Sequence, residues 1–188
     1  MDKIEILGIV GSLRKDSYNR STLKAAQKLV PDGAVLDLIE LHGIPVFNQD
    51  NESVLPDAVR EFKRRILAAD AILFGTPEYN YSVPGPLKNA IDWASRPHGE
   101  SAWQGKPAAV MGASPGNLGS ARAQYHLRQI LVALDMPVVN GPEVMIANAA
   151  QRFDSHGTLT DEPTKQRIQK LLAALVQLTK NVPAKTLK

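Results

Sequence analysis

The sequence predicts an α/β fold: one five-stranded parallel sheet of order 2-1-3-4-5, with helices on both faces. Two observations predict it. Short apolar runs alternate with helix-period segments five times along 188 residues, the rhythm of βαβ units joined by right-handed crossovers. The loops after the first, third and fourth runs also have the most unusual composition. In this strand order those three loops share one mouth beyond the carboxyl ends of the strands, where open α/β sheets bind ligands.

The first run, Ile4 to Val10, is nearly all apolar and stops at Gly11-Ser12, as a buried strand does. Residues 18 to 30 have Leu23, Ala26, Gln27 and Val30 at helical spacing, and Pro31-Asp32-Gly33 ends them. Ala34 to Ile39 reads as the second strand and residues 40 to 55 as loop. Pro56 opens a helix with Val59, Phe62, Ile66 and Leu67 on one face. Asp70 to Gly75 is the third strand, and Leu87 to Ala94 a helix. Lys106 to Gly112 is the fourth strand, and Leu118 to Leu134 a long helix. Pro137-Val138-Val139 begins a short fifth strand, and residues 140 to 160 are irregular. Thr164 to Thr179 closes the chain with Ile168, Leu171, Leu172, Leu175 and Leu178 on one face, after a Glu162-Pro163 start suited to capping. With no linker or repeat, the expectation is a flavodoxin-like three-layer sandwich, a single domain over 1–188 with a frayed tail at about 181–188.

Composition narrows the function. There is no cysteine, which excludes disulfides, zinc–thiolate sites and thiol catalysis. No apolar run nears the ~20 residues of a membrane span, and the chain enters a strand directly from Met1-Asp2-Lys3, so a cytoplasmic protein with no membrane partner is expected. The net charge is +3, with no run of basic residues, which argues against a nucleic-acid partner and suits phosphate-bearing ligands.

The first loop, Gly11 to Asn19, runs from a strand end to a helix start, where unpaired N–H groups attract phosphate. Ser12, Ser17 and Asn19 add short polar side chains, and Arg14 adds a cationic fork. The ending of a Walker loop is missing, and the glycine spacing is wrong for the dinucleotide fingerprint. So many hydroxyls suit a terminal phosphate monoester; the alternative is that Ser17 and Asn19 merely cap the helix. The second loop, Thr76 to Pro86, has three prolines and one glycine. Such a rigid backbone could read the polar edge of a flat ring while Tyr79 or Tyr81 lies against its face. The alternative is tyrosines packed as filler. The third loop, Ala113 to Ser120, supplies small residues that let a ring approach, or else a plain Pro-Gly turn.

Gly11-Ser12-Leu13-Arg14 with Ser17 and Asn19, then Pro77-Glu78-Tyr79-Asn80 leading to Pro84-Gly85 and Lys88-Asn89-Ala90-Ile91-Asp92-Trp93, resembles the NADPH-dependent FMN reductase family, most of all its bacterial quinone and chromate reductase branch. The resemblance spans about residues 3 to 178. It implies FMN as cofactor and NAD(P)H as co-substrate. Ser12, Arg14, Ser17 and Asn19 would hold the phosphate. Pro77, Glu78, Tyr79, Asn80 and Tyr81 would contact the isoalloxazine, largely through backbone, and Ser114 would line its other side. It also implies a dimer or tetramer, with Arg122, Tyr125 and Glu143 in polar contacts between subunits and the 40 to 55 loop bordering a partner's site.

On that reading a hydride passes from nicotinamide to flavin N5, and a small acceptor (quinone, flavin, azo compound or metal oxyanion such as chromate) then takes its turn in a ping-pong cycle. No catalytic side chain and no metal is expected. His42, His98, His126 and His156 read as surface or packing residues, Trp93 as core or interface, and Asp92 as helix surface or cap. Lys15, Arg20 and Arg96 are the cations that could favour the extra phosphate of NADPH. The main rival is a flavodoxin-type electron carrier, against which the basic balance argues. A receiver domain would need acids where Gly11-Ser12 and Gly75-Thr76 stand, and a nucleotide-binding module without FMN would be colourless.

Overall fold

In the computed structural model, which describes residues 3–182, all strand pairings of the sheet are parallel and the order is 2-1-3-4-5. β1 is Ile4–Val10, β2 Ala34–Glu40, β3 Ala71–Gly75, β4 Ala108–Ala113 and β5 Val144–Ile146. The helices are α1 (Tyr18–Gln27), α2 (Asp57–Ala68), α3 (Gly85–Ala94), α4 (Ala121–Ala133) and α5 (Glu162–Asn181). β3 and β4 are buried along their whole length, which is why they read as unbroken apolar runs.

Successive strand side chains point to opposite faces, and the core divides accordingly. Ile6, Val10, Leu73 and Met111 meet α1 and α5 through Leu23, Ala26, Ile168 and Leu172. Leu7, Ile9, Phe74 and Val110 meet α2, α3 and α4 through Phe62, Ile66, Ile91 and Leu127. Trp93 is fully buried, donates to Pro45 O at 2.8 Å and packs edge-on against Phe47, so it is core. Asn89 bonds Pro45 O and Phe47 N, and Arg96, just beyond α3, pairs with Glu52, so α3 and the turn after it hold both ends of the 44–52 loop.

Three expectations need correction. The fifth strand is Val144–Ile146, whereas Pro137–Val139 makes only an isolated bridge with Ala108. Asn140-Gly141-Pro142 carries the chain out of the ladder, and it rejoins opposite Met111, Gly112 and Ala113. The fourth helix starts at Ala121, because Gly119 and Ser120 hold positive φ values of 55° and 65°. Leu67 is 49% exposed and stands off the apolar face of α2. Of the tail expected to fray, Asn181 ends α5 and residues 183–188 lie outside the described residues. Among the described residues, no helix is long and apolar enough to cross a membrane.

Candidate functional site

The three unusual loops leave β1, β3 and β4 side by side at the carboxyl edge of the sheet. Gly11 N bonds Gly75 O at 2.8 Å and Thr76 N bonds Met111 O at 3.0 Å, which stitches the loop bases together. Gly112 makes the approach possible. A Cβ there would lie 2.0 Å from Ser120 Oγ and 2.3 Å from Thr76 O.

Ser17 caps α1, its Oγ accepting from Arg20 N at 3.4 Å, and Ser12 Oγ accepts from Arg14 N at 3.3 Å. Both hydroxyls act as acceptors inside the loop, so their hydrogens remain available to an anion. Both serines are buried, at 3% and 4% exposure, while Arg14 is exposed. The first-turn N–H groups of Tyr18 and Asn19 have no carbonyl one turn back. This donor set fits the phosphate of FMN. The Asn19 side chain is committed elsewhere: it donates to Ala113 O at 3.0 Å and accepts from Ala113 N at 2.9 Å. What Asn19 offers a ligand is its backbone N–H.

In the second loop Tyr79 and Ser82 exchange backbone hydrogen bonds of 3.1 and 3.0 Å around Asn80 and Tyr81, whose φ values are +48° and +69°. Two positive φ values at the centre of a tight turn mark a type I′ turn. The turn lifts Tyr79 and Tyr81 to 44% and 67% exposure, above a buried Pro77. Glu78 turns inward, its side chain 7% exposed. Its carboxylate accepts from Arg122 N at 3.0 Å and Ala123 N at 3.4 Å, and forms an ion pair with the Arg122 guanidinium. α4 has no acid in its first turn and no side-chain cap from Ser120, so Glu78 supplies that cap from across the cleft. The Glu78 hydrogen bond raises the Arg122 pKa further above its ordinary value. The guanidinium carbon sits 3.4 Å from the centre of the Tyr81 ring.

The third loop is tied to the end of β5 by Ser114 N to Ile146 O and Asn148 N to Gly116 O, each 3.0 Å. Between the second and third loops lies a cavity of about 450 Å³, lined by Glu78, Asn80, Tyr81, Ser114, Asn117 and Arg122 among others. Sequence reading placed Ser114 and its neighbours here without singling out Asn117, and it missed the capping role of Glu78. The signal available was a lone acid among prolines and tyrosines, upstream of a helix lacking one. Tyr125 and Glu143 lie outside this cavity, on the surface, with Tyr125 Oη 3.3 Å from Glu143 Oε2, and that bond raises the phenol's pKa. Of the cations considered for a second phosphate, Arg20 pairs with Glu40 and Arg96 with Glu52, and Lys15 has no ion-pair partner among the described residues.

Known proteins resemble this chain along most of its length. The family described as NADPH-dependent FMN reductase matches residues 4–151. The NAD(P)H-dependent FMN reductase of Pseudomonas aeruginosa is 54% identical over 175 residues, 93% of this chain and 94% of that one. The quinone reductase of Pseudomonas putida is 46% identical over 177 residues, covering 93% and 95%. The solved structure of FerB, a flavoenzyme NAD(P)H:(acceptor) oxidoreductase from Paracoccus denitrificans, superposes with a TM-score of 0.87 at 40% identity, covering 95% of this chain and 98% of that one.

Proposed function

The chain belongs to the NADPH-dependent FMN reductase family, and on that premise we propose that it is an FMN-dependent oxidoreductase carrying electrons from NAD(P)H to a quinone or a free flavin. The observation that carries this reading is a phosphate-type donor set at Ser12, Arg14 and Ser17 on the same sheet edge as the open cavity between Tyr81 and Ser114. When bound, FMN supplies the hydride chemistry. The chain's own work is to bind and orient. Ser12, Ser17, the Arg14 guanidinium and the first-turn amides of α1 hold the phosphate. The backbone of Pro77 to Tyr81 and of Ser114 frames the ring. Glu78 keeps the second loop and α4 in register, so the cleft has a fixed width. No side-chain acid or nucleophile is assigned a proton, and NAD(P)H and acceptor take turns at one face. A flat, permissive face extends the acceptors to azo compounds and metal oxyanions such as chromate. The proposed location is the cytoplasm.

A second copy of this chain is the proposed partner, in a dimer or tetramer. Tyr125 and Val132, seven residues apart on α4, are 50% and 75% exposed, and Leu118, in the turn before the helix, is 49% exposed. Arg122, Tyr125 and Glu143 would supply the polar contacts of that interface. The mass in solution, by light scattering, tests it.

The function is tested by a visible spectrum of the purified protein, followed by NADPH added without oxygen. Flavin bands that bleach support the reading. Flavin bands that persist indicate an electron carrier, and a colourless protein that takes up no FMN overturns the assignment.

A further inference from the structure

Beside the first loop lies a second cavity, of about 580 Å³, between α1 and the turn at 153–157. It shares Arg14 and Tyr18 with the proposed phosphate cradle of FMN, but Ser12, Ser17 and Asn19 do not line it, so it adjoins that cradle and extends beyond it along α1. Its walls carry Arg14, Lys15, Arg20 and Lys24 against Asp16 and Asp154.

The charges divide by what they already hold. Arg20 is a clasp, donating to Lys15 O at 2.5 Å and to Glu40 at 2.9 Å, and so fixes the Lys15 backbone against α1. Asp154 accepts from the N–H groups of His156 and Thr158 at 2.9 and 2.8 Å, which closes its turn and holds its pKa low. Among the described residues, Arg14, Lys15 and Lys24 have no ion-pair partner. Lys24 lies about 9 Å along α1 from Tyr18, at ~1.5 Å per residue. The Tyr18 ring forms part of the wall and is backed by Phe153 at 5.6 Å between centroids. A fixed aromatic wall beside uncommitted ammonium groups is the chemistry that receives a phosphomonoester on an adenosine. The first loop follows β1, which lies next to β3, and neighbouring strands are ~4.8 Å apart. Tyr18 in the groove wall is also the neighbour of Asn19, whose side chain bonds Ala113, the neighbour of Ser114 in the ring cleft. Two Cα steps of ~3.8 Å and one hydrogen-bonded side chain thus join the two walls, within the length of one extended dinucleotide.

We propose that this groove reads the 2′-phosphate of NADPH through Lys15 and Lys24, and so sets preference for NADPH over NADH. The inference rests on the oxidoreductase reading above. The test uses the FMN-loaded protein and the Lys15→Ala/Lys24→Ala variant, checked for equal FMN content and melting temperature. KM for NADPH is expected to rise about tenfold or more, the scale of one lost charge-assisted hydrogen bond, with KM for NADH and both kcat values unchanged. By calorimetry, 2′,5′-ADP should bind wild type and lose affinity for the variant, while 5′-AMP should bind both equally. Equal losses for both coenzymes, unchanged kinetics, or inorganic phosphate binding as well as 2′,5′-ADP would each overturn the proposal. A protein that oxidises neither coenzyme would instead overturn the reading on which it rests.

Discussion

Asn19 on α1 closes a two-bond clasp with the backbone of Ala113 at the end of β4, 94 residues away in the chain. The clasp is buried and makes the rim of the first loop continuous with that of the third. Asn19→Ala should destabilise the protein by about 1–3 kcal/mol, because both polar groups of Ala113 are left unmet. Urea unfolding measures this. Asn19→Asp should cost at least as much, since a carboxylate cannot donate to Ala113 O. FMN affinity should fall with both variants, read from quenching of flavin fluorescence.

Glu78 joins the second loop to the start of α4 in the same manner. Glu78→Ala should lower stability by about 2 kcal/mol, through the lost cap and the unpaired Arg122 guanidinium. Glu78→Gln retains an acceptor for Arg122 N without the charge, so its loss should be smaller. Thermal melting of the three proteins should rank wild type, Gln, Ala. An Ala variant as stable as wild type would remove Glu78 from this role.

Gly112 and Gly85 make a matched pair of tests. Gly112→Ala would push a methyl group against Ser120 Oγ and the Thr76 carbonyl, so about 1–3 kcal/mol or more should be lost. Ser120→Gly relieves only the first clash, since the Thr76 oxygen is backbone. Gly85, in the first turn of α3, has open space where a Cβ would go, and Gly85→Ala should be neutral or slightly stabilising. Denaturation midpoints compare the two.

Asp161 predicts an acid-dependent loss. Its carboxyl pKa is held below the ordinary value, first by the Thr164 hydroxyl and then by Arg152, while its Oδ2 also caps α5. A depressed carboxyl stabilises the fold fully above the unfolded pKa of about 3.9 and loses that contribution as pH falls through the folded value. The stability gap between wild type and Asp161→Asn should therefore be constant above about pH 5 and shrink below about pH 4. Chemical unfolding at a series of pH values measures it.

Sequence alone determined most of the architecture. Burial on both sheet faces forces strands such as Ala71–Gly75 to be apolar throughout, and Pro and Gly punctuate the chain where helices start and turns close. Right-handed crossovers leave little freedom in strand order. The first and second loops were legible for the same local reason, since hydroxyls, prolines and tyrosines in short runs are visible without a partner. Tertiary structure decided what depends on residues far apart in the chain. It moved the fifth strand to Val144–Ile146, because pairing with β4 outweighs the apolar look of Pro137–Val139. It committed the Asn19 side chain to Ala113 and that of Glu78 to α4. It also sorted the cations, binding Arg20 and Arg96 to Glu40 and Glu52 while Lys15 and Lys24 have no ion-pair partner among the described residues. Periodicity reports which face of an element is apolar, but a hydrogen bond or ion pair depends on which backbone and which charge the folded chain brings within about 3 Å.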